Sequence, residues 1–222
     1  MKAIQWAKIP AFLACLIPAA LLGWGALHGT LGANPIEAIT RGTGKWTILF
    51  LLITLAVSPL RQLTVQYWLI RFRRMLGLFA FFYGVLHLTT YVWLDKFFDW
   101  HEMLKDIAKR PFITIGFTAF VLMLPLALTS TQGMIRRLGK RWQLLHRLIY
   151  ASAAAGVVHF YWLVKADVRR PLLYGALLAA LLAFRVVMWL RKRKTATVRI
   201  AIQVPTRASA ISNAGSPAPQ KS

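Results

Sequence analysis

Six long apolar segments, separated by short charged connections, constrain this chain more than any other feature of its sequence. They cover residues 9–28, 46–60, 75–94, 111–129, 142–164 and 171–190. About 20 apolar residues in a helix span the hydrocarbon core of a bilayer, where only helices and closed barrels satisfy their own backbone polar groups. The pattern therefore predicts an all-α, multi-pass membrane protein, a bundle of six transmembrane helices. Residues 1–194 are predicted to form this domain, and 195–222, rich in Ala, Ser and Pro, a disordered cytoplasmic tail.

The charges in the connections predict the orientation of the bundle. Clusters of Lys and Arg lie at the N-terminus, in 61–74, in 130–141 and from residue 191 onward, whereas all six acidic residues lie in 29–45, 95–110 and 165–170. Basic connections stay on the cytoplasmic side of a membrane. Both termini are therefore predicted to be cytoplasmic. This alternation also favours a retained first segment over a cleaved signal peptide.

The net charge of +22 has two possible explanations, nucleic-acid binding and membrane topology. Because the basic residues flank apolar segments, membrane lipid is the predicted partner and nucleic acid is not. The single cysteine, Cys15, excludes an internal disulfide and a cysteine-ligated cluster. The sequence has no glycine-rich nicotinamide-binding turn and no G-x-S-x-G nucleophile motif.

Two histidines are predicted to lie at matching depths in the membrane. His87 is about twelve residues into the third segment and His159 about seventeen into the fifth, which places both in the outer half. Ionisable residues inside a bilayer are costly and mark candidate functional sites. Two neutral imidazoles on neighbouring helices can ligate one haem iron, so we predict a b-type haem here. The alternatives are a structural hydrogen bond, a proton or ion relay in a transporter, and a purely structural anchor.

Each of these histidines is preceded by a glycine at the same spacing. Gly84 and Gly156 lie three residues before His87 and His159, on the same helix face. A flat macrocycle can approach the backbone closely where no Cβ stands, so both glycines are candidate cofactor-binding residues. The alternative is that they serve helix packing, as small residues often do in membranes.

A second haem site is predicted nearer the cytoplasm, at His146. This residue precedes His159 by thirteen positions, roughly 20 Å along a helix, but on an ideal helix the two side chains point in different directions, so a bend is required. The third segment has Arg73 and Arg74 at this level instead of a histidine. An arginine there can bind a haem propionate, a lipid phosphate or the iron itself. The number of haems, one or two, stays open.

Four stretches of the sequence resemble the MsrQ family, also called YedZ, of ferric-reductase-like membrane proteins. They are RRMLGL at 73–78, HLTTY at 87–91, the run ALTSTQGMIRRLGKRWQLLHRLIY at 127–150, and the connection at 28–35. The resemblance extends over roughly 20–190, and the run at 127–150 is its most specific part.

The resemblance implies a non-catalytic electron-transfer subunit of an inner-membrane system that repairs methionine sulfoxide in periplasmic proteins. It implies haem b and FMN as cofactors, the quinone pool or a cytosolic flavin reductase as electron donor, and the periplasmic molybdopterin subunit MsrP as acceptor. Haem ligands of the family map onto His87, His146 and His159. Related oxidases carry a fourth histidine where Arg73 stands, so the sixth ligand of an inner haem is not implied.

Overall fold

The computed structural model describes residues 2–164 and 167–203, and within these ranges the chain is helical without strands. The predicted all-α membrane bundle is confirmed. The helices are α1 (Lys2–Leu27), α2 (Pro35–Thr64), α3 (Ile70–Thr89), α4 (Trp100–Lys109), α5 (Pro111–Leu128), α6 (Gln132–Leu138), α7 (Lys140–Leu145), α8 (Leu148–Leu163) and α9 (Arg169–Gln203). A 3-10 turn at Tyr67–Leu69 precedes α3, and a π-helical turn at Thr90–Asp95 prolongs it.

Five helical stretches within the described residues are long and apolar enough to cross a membrane. They are Trp6–Leu27, Pro35–Thr64, Tyr67–Asp95, Pro111–Leu128 and Arg169–Arg191. Many of their large apolar side chains are exposed, as in helices that face lipid; Leu21, for example, is 64% exposed. The chain is therefore a multi-pass membrane protein, while the count of six spans and the cytoplasmic placement of both termini remain predictions.

The predicted segment 142–164 differs most from the structure. It is not a single helix, because α7 ends at Leu145, His146 and Arg147 form a turn, and α8 begins at Leu148. The 16 residues of α8 reach about 24 Å, less than the hydrocarbon core of about 30 Å. The predicted segment 46–60 is part of a longer helix of 30 residues, since Asn34 caps α2 and Pro35 occupies its first turn.

The chain divides into two compact units, Met1–Leu181 and Leu182–Ser222. The described part of the second unit is helical as far as Gln203, and in it the Arg193 guanidinium lies 3.8 Å from the centre of the Trp189 ring. Helix therefore continues past residue 194, where the predicted tail begins. Residues 204–222 of that tail lie outside the described residues.

Two helix pairs form the centre of the first unit. Helix α2 packs chiefly against α3, and α5 packs chiefly against α8, with smaller contacts between α3 and α5 and between α2 and α8. The hydroxyl of Ser152, fully buried on α8, donates to the carbonyl oxygen of Ala119 on α5 at 2.9 Å. The two pairs thus bring α3 and α8, the helices with His87 and His159, into one bundle.

Tyr83 connects α3 to α1 through hydrogen bonds with the backbone of α1. In a regular helix the N–H of Ala19 would donate to the carbonyl of Cys15. Here Ala19 N–H donates to the Tyr83 hydroxyl at 3.0 Å, and that hydroxyl donates to the Cys15 carbonyl at 2.8 Å. Tyr83, which is fully buried, therefore holds α1 against the bundle.

Asp106 ties the connection after α3 to the end of that helix. Its carboxylate accepts from Lys96 at 2.6 Å, from the Arg110 Nε at 3.1 Å and from the Tyr91 hydroxyl at 3.2 Å. The side chain is only 6% exposed. The hydrogen bond from Lys96, aided by the charge of Arg110, holds the pKa of Asp106 below its usual value, although burial opposes this. The carboxylate therefore stays ionised at neutral pH.

Candidate metal centre

His87 on α3 and His159 on α8 lie side by side. Their ring centres are 6.1 Å apart and the ring planes are inclined by 72°. Both side chains are partly buried between the helix pairs. The matching depths in the sequence predict this convergence, whereas the role of the two residues as metal ligands stays a prediction.

Both rings are held in the same tautomer by backbone carbonyls of neighbouring helices. His87 Nδ1 lies 3.0 Å from the carbonyl oxygen of Thr40 on α2, and His159 Nδ1 lies 2.6 Å from that of Phe112 on α5. A carbonyl oxygen only accepts hydrogen bonds, so each Nδ1 carries the proton and each Nε2 keeps a free lone pair. Histidines that ligate metals usually donate their second N–H to a carbonyl or carboxylate in this way.

The separation of the two rings fits two axial ligands of one metal. Two imidazole nitrogens that each bond a metal at about 2 Å lie about 4 Å apart, and the ring centres lie farther out. The observed 6.1 Å between ring centres is consistent with that arrangement. Among the described residues no three or more His, Cys, Asp or Glu side chains are placed so that they could hold a metal ion. Two imidazoles suit a metal that brings its remaining ligands with it, as haem iron does.

His146 lies in the turn between α7 and α8, apart from this pair. Its Nδ1 donates to the carbonyl oxygen of Trp142 at 3.1 Å, and its ring stacks on that of Trp142 with centres 3.8 Å apart. Its Nε2 is buried and makes no hydrogen bond, although the carbonyl of Leu126 lies near the ring. Buried polar atoms are usually paired, so this free acceptor is the second candidate ligand atom. The turn supplies the bend that the spacing of His146 and His159 requires.

His28 has the same local contacts as His146, which shows whether those contacts indicate a metal ligand. It too lies four residues after a tryptophan, with its Nδ1 2.9 Å from the Trp24 carbonyl and its ring 3.8 Å from the Trp24 ring. His28 is exposed at the end of α1, however, and His101 is exposed on α4. The tryptophan stack is therefore not a sign of ligation. The buried, unpaired Nε2 distinguishes His146 from both.

The structure assigns Arg73 and Arg74 to different surroundings. Arg73 lies close enough to His146 for its charge to act on that imidazole. Arg74 lines a cavity of about 570 Å³ at α1 and α3. The other lining residues are two cations, Lys8 and Arg71, and the apolar side chains of Phe12, Leu16, Met75, Leu78, Phe79 and Phe82. The two arginines are adjacent in sequence but lie beside different groups.

The predicted glycines also differ from one another. A Cβ on Gly84 would lie 3.6 Å from the Phe120 ring and 3.7 Å from the Thr47 methyl group, which are ordinary packing distances. Gly84 is buried, and its contacts favour the alternative of helix packing. A Cβ on Gly156 would meet nothing within 4 Å. Gly156 therefore has open space beside it, as close approach of a cofactor requires.

Sequence reasoning missed the residues that orient the two central histidines. These are Thr40 and Phe112, through their carbonyls, and Gly44 and Gly116, which lie against the rings. They lie far from the histidines in sequence, on other helices. No local pattern marks them, because any helix residue has a carbonyl and glycines are common in membrane helices.

Comparison with known proteins gives a consistent result. The family described as "Ferric reductase like transmembrane component" matches residues 41–157. A protein of Herminiimonas arsenicoxydans named "Protein-methionine-sulfoxide reductase heme-binding subunit MsrQ" is 57% identical over 189 residues, which are 84% of this chain and 87% of that protein. Proteins of the same name are 58% identical in Azospira oryzae, over 83% of this chain and 80% of the relative, and 52% identical in Bordetella parapertussis, over 88% and 96%. No solved structure matches the chain.

Proposed function

Because this chain belongs to the ferric-reductase-like transmembrane family, and within it to the MsrQ subunits, we propose that it binds b-type haem and carries electrons across the bacterial inner membrane. The observation that carries the proposal is the pair of converging imidazoles, 6.1 Å apart, with both Nδ1 atoms bonded to carbonyls. Haem supplies an iron that changes oxidation state at a potential tuned by ligands, burial and nearby charge.

His87 and His159 are the proposed ligands of the first haem. The Thr40 and Phe112 carbonyls each accept from an Nδ1–H, which fixes the ring and leaves its Nε2 lone pair available. His146 is the proposed ligand of a second haem, on the strength of its buried and unpaired Nε2. Arg73, whose charge acts on His146, would pair with a propionate of that haem or bind its iron.

An external electron donor is proposed, either the quinone pool or a cytosolic flavin reductase. The reason is that the sequence contains no nicotinamide-binding fingerprint of its own. FMN is proposed as a second cofactor. The open cavity at Lys8, Arg71 and Arg74 supports it, since its three cations suit a phosphate. The basic residues at 136–141 are the proposed contact for a reductase.

The proposed electron acceptor is the periplasmic molybdopterin subunit MsrP. The names of the relatives support this, since each describes a subunit of a protein-methionine-sulfoxide reductase. The proposed docking surface is the mixed-charge connection at 95–110, which Asp106 holds in place, together with 165–170, of which residues 165 and 166 are outside the described ranges.

The visible spectrum of the purified protein tests the central proposal. The full chain, solubilised in mild detergent, is expected to have a Soret band that shifts with dithionite and a sharp α band in the reduced state. A pyridine haemochrome assay against protein mass then gives haem per chain and decides between one and two. A folded, full-length protein without colour would overturn the proposal and favour the alternative, a transporter with histidines in a proton relay.

The acceptor is tested separately from the haem. Dithionite-reduced protein, freed of excess reductant, is mixed with purified MsrP and a methionine sulfoxide substrate, and the decay of the α band is followed in time. Oxidation of the haem that requires both MsrP and substrate supports the assignment. A reduced spectrum that persists in the presence of both contradicts the partner without affecting the haem proposal.

A further inference from the structure

Helices α2 and α5, which carry neither His87 nor His159, hold the two histidine rings through the same kind of hydrogen bond. On α2 the carbonyl of Thr40 accepts from His87, and on α5 the carbonyl of Phe112 accepts from His159. In both helices a glycine follows the accepting residue by four positions, Gly44 after Thr40 and Gly116 after Phe112. We refer to Thr40 with Gly44, and to Phe112 with Gly116, as carbonyl–glycine pairs.

Helix geometry explains why a glycine is needed at that spacing. A residue four positions later lies one turn farther along the same face, and its Cβ leans back toward the N-terminus. A side chain there would therefore stand over the carbonyl that the histidine must reach. Glycine leaves this carbonyl open from the side. At Thr40 the carbonyl also accepts from the Thr43 hydroxyl at 3.0 Å.

The distances show how little space the rings leave. A Cβ on Gly116 would lie 2.6 Å from His159 Nδ1 and 2.8 Å from its Cε1. A Cβ on Gly44 would lie 3.1 Å from both Nδ1 and Cε1 of His87. Carbon atoms in favourable contact are about 3.5–4.0 Å apart. At Gly116 the ring would have to move away, whereas at Gly44 a shift of a few tenths of an ångström would relieve the contact.

We propose that Gly44 and Gly116 are positioning residues for the two haem ligands: each admits a histidine ring to a helix carbonyl, which fixes its tautomer and directs its Nε2. The inference rests on the proposed haem function of His87 and His159. It adds that the orientation of both histidines is set by α2 and α5, two helices that carry no haem-ligating residue. His146 lacks such a pair, because it donates to the carbonyl of Trp142 just before it in the chain.

The test compares three alanine variants of the full chain, Gly116→Ala, Gly44→Ala and Gly77→Ala. Gly77 is the matched control, since it lies in α3 with His87 and a Cβ there would meet only the Thr54 methyl group at 3.6 Å. Alanine favours helix more than glycine does, so a loss cannot be attributed to helix propensity. The readouts are haem per chain and the electron paramagnetic resonance spectrum of the ferric haem, which reports the orientation and bonding of axial imidazoles.

Gly116→Ala is expected to weaken binding of the haem between His87 and His159 by roughly 10–100-fold, the usual effect of losing a second-shell contact to a ligating histidine. Gly44→Ala is expected to retain haem but to shift its resonance spectrum. Gly77→Ala is expected to match the wild type in both measurements. If Gly116→Ala proves too unstable to purify, Gly44→Ala, with its smaller displacement, decides the test.

Wild-type haem content and unchanged spectra in both Gly44→Ala and Gly116→Ala would overturn the inference. Equal losses in Gly77→Ala would also overturn it, because the effect would then not depend on contact with the rings. A wild-type protein without haem is a different failure, since it contradicts the proposed function itself.

Discussion

The region around His87 and His159 and the region around His146 show two different ways of presenting an imidazole. At the first, two rings from α3 and α8 meet, and each is bonded to a carbonyl of another helix. At the second, one ring bonds to the residue four positions before it and stacks on the same residue, Trp142. The first arrangement requires four helices to be packed together, whereas the second forms within one turn.

This difference predicts how substitutions in each region affect its histidine ligands. The ligand atoms of the central pair depend on tertiary contacts among α2, α3, α5 and α8. The His146 ring depends on its own turn for orientation and on the surrounding bundle only for burial of its Nε2. We therefore expect substitutions in the first region to act together, and substitutions in the second to act on that region alone.

The largest expected effect comes from removing either member of the central pair. His87→Ala and His159→Ala should each abolish the haem between them, because one iron loses an axial ligand in both cases. The double variant should lose no more haem than either single variant, since the two residues act as one unit. Haem per chain and the reduced α band measure this. Full haem content in either single variant would contradict the assignment of His87 and His159 as ligands of one haem.

His146→Ala should remove only the second haem and leave the spectrum of the first unchanged. The matched control is His28→Ala, since His28 has the same stack on a tryptophan but is exposed. This control should retain the haem content of the wild type. If His146→Ala and His28→Ala behave alike, the buried Nε2 of His146 has no ligand role and the chain has one haem.

Arg73→Gln should lower the midpoint potential of the second haem and leave the first nearly unchanged. A nearby positive charge disfavours the ferric state, which has one more positive charge than the ferrous state, so its removal stabilises the oxidised haem. The expected shift is on the order of tens of millivolts, given that a tenfold change in a one-electron equilibrium is about 59 mV. Arg74→Gln, at the separate cavity, is the control in the same potentiometric titration. Equal shifts in both variants would contradict the assignment.

The smallest expected effect on haem comes from Asp106→Asn, which should change stability instead. The pKa of Asp106 is lowered in the folded protein, so its contribution is present above the unfolded value of about 3.9 and is lost as the pH falls through the lower folded pKa. At neutral pH the variant should lose roughly 1–3 kcal/mol, because Lys96, which is 17% exposed, keeps a charge without this partner. Thermal unfolding at neutral and acidic pH measures this, and the variant should lose less on acidification than the wild type. A variant with the wild-type pH dependence would exclude Asp106 as the group responsible.

Most of the helices could be predicted because apolar runs of the right length have few alternatives in a membrane. The predicted segments differ from the observed helices at the start of α2 and at the break between α7 and α8, and both differences have physical reasons. The first turns of α2 contain Glu37, Arg41 and Lys45, so hydropathy alone misses them, although Asn34 and Pro35 are ordinary signals for a helix start. The sequence indicates a bend near His146 only if that residue binds a second haem. Apolar composition alone does not distinguish one continuous helix from two short ones.

The sequence by itself predicts the depth of each candidate ligand, because helix rise converts a position in an apolar run into an expected height in the bilayer. Only the tertiary structure decided which atoms of those histidines are available to a metal. Each ring of the central pair is oriented by a carbonyl 47 residues away in the sequence, and only the packed bundle shows which carbonyl that is. The physical reason is that depth is a property of one helix, whereas the second hydrogen bond of an imidazole needs a partner from another.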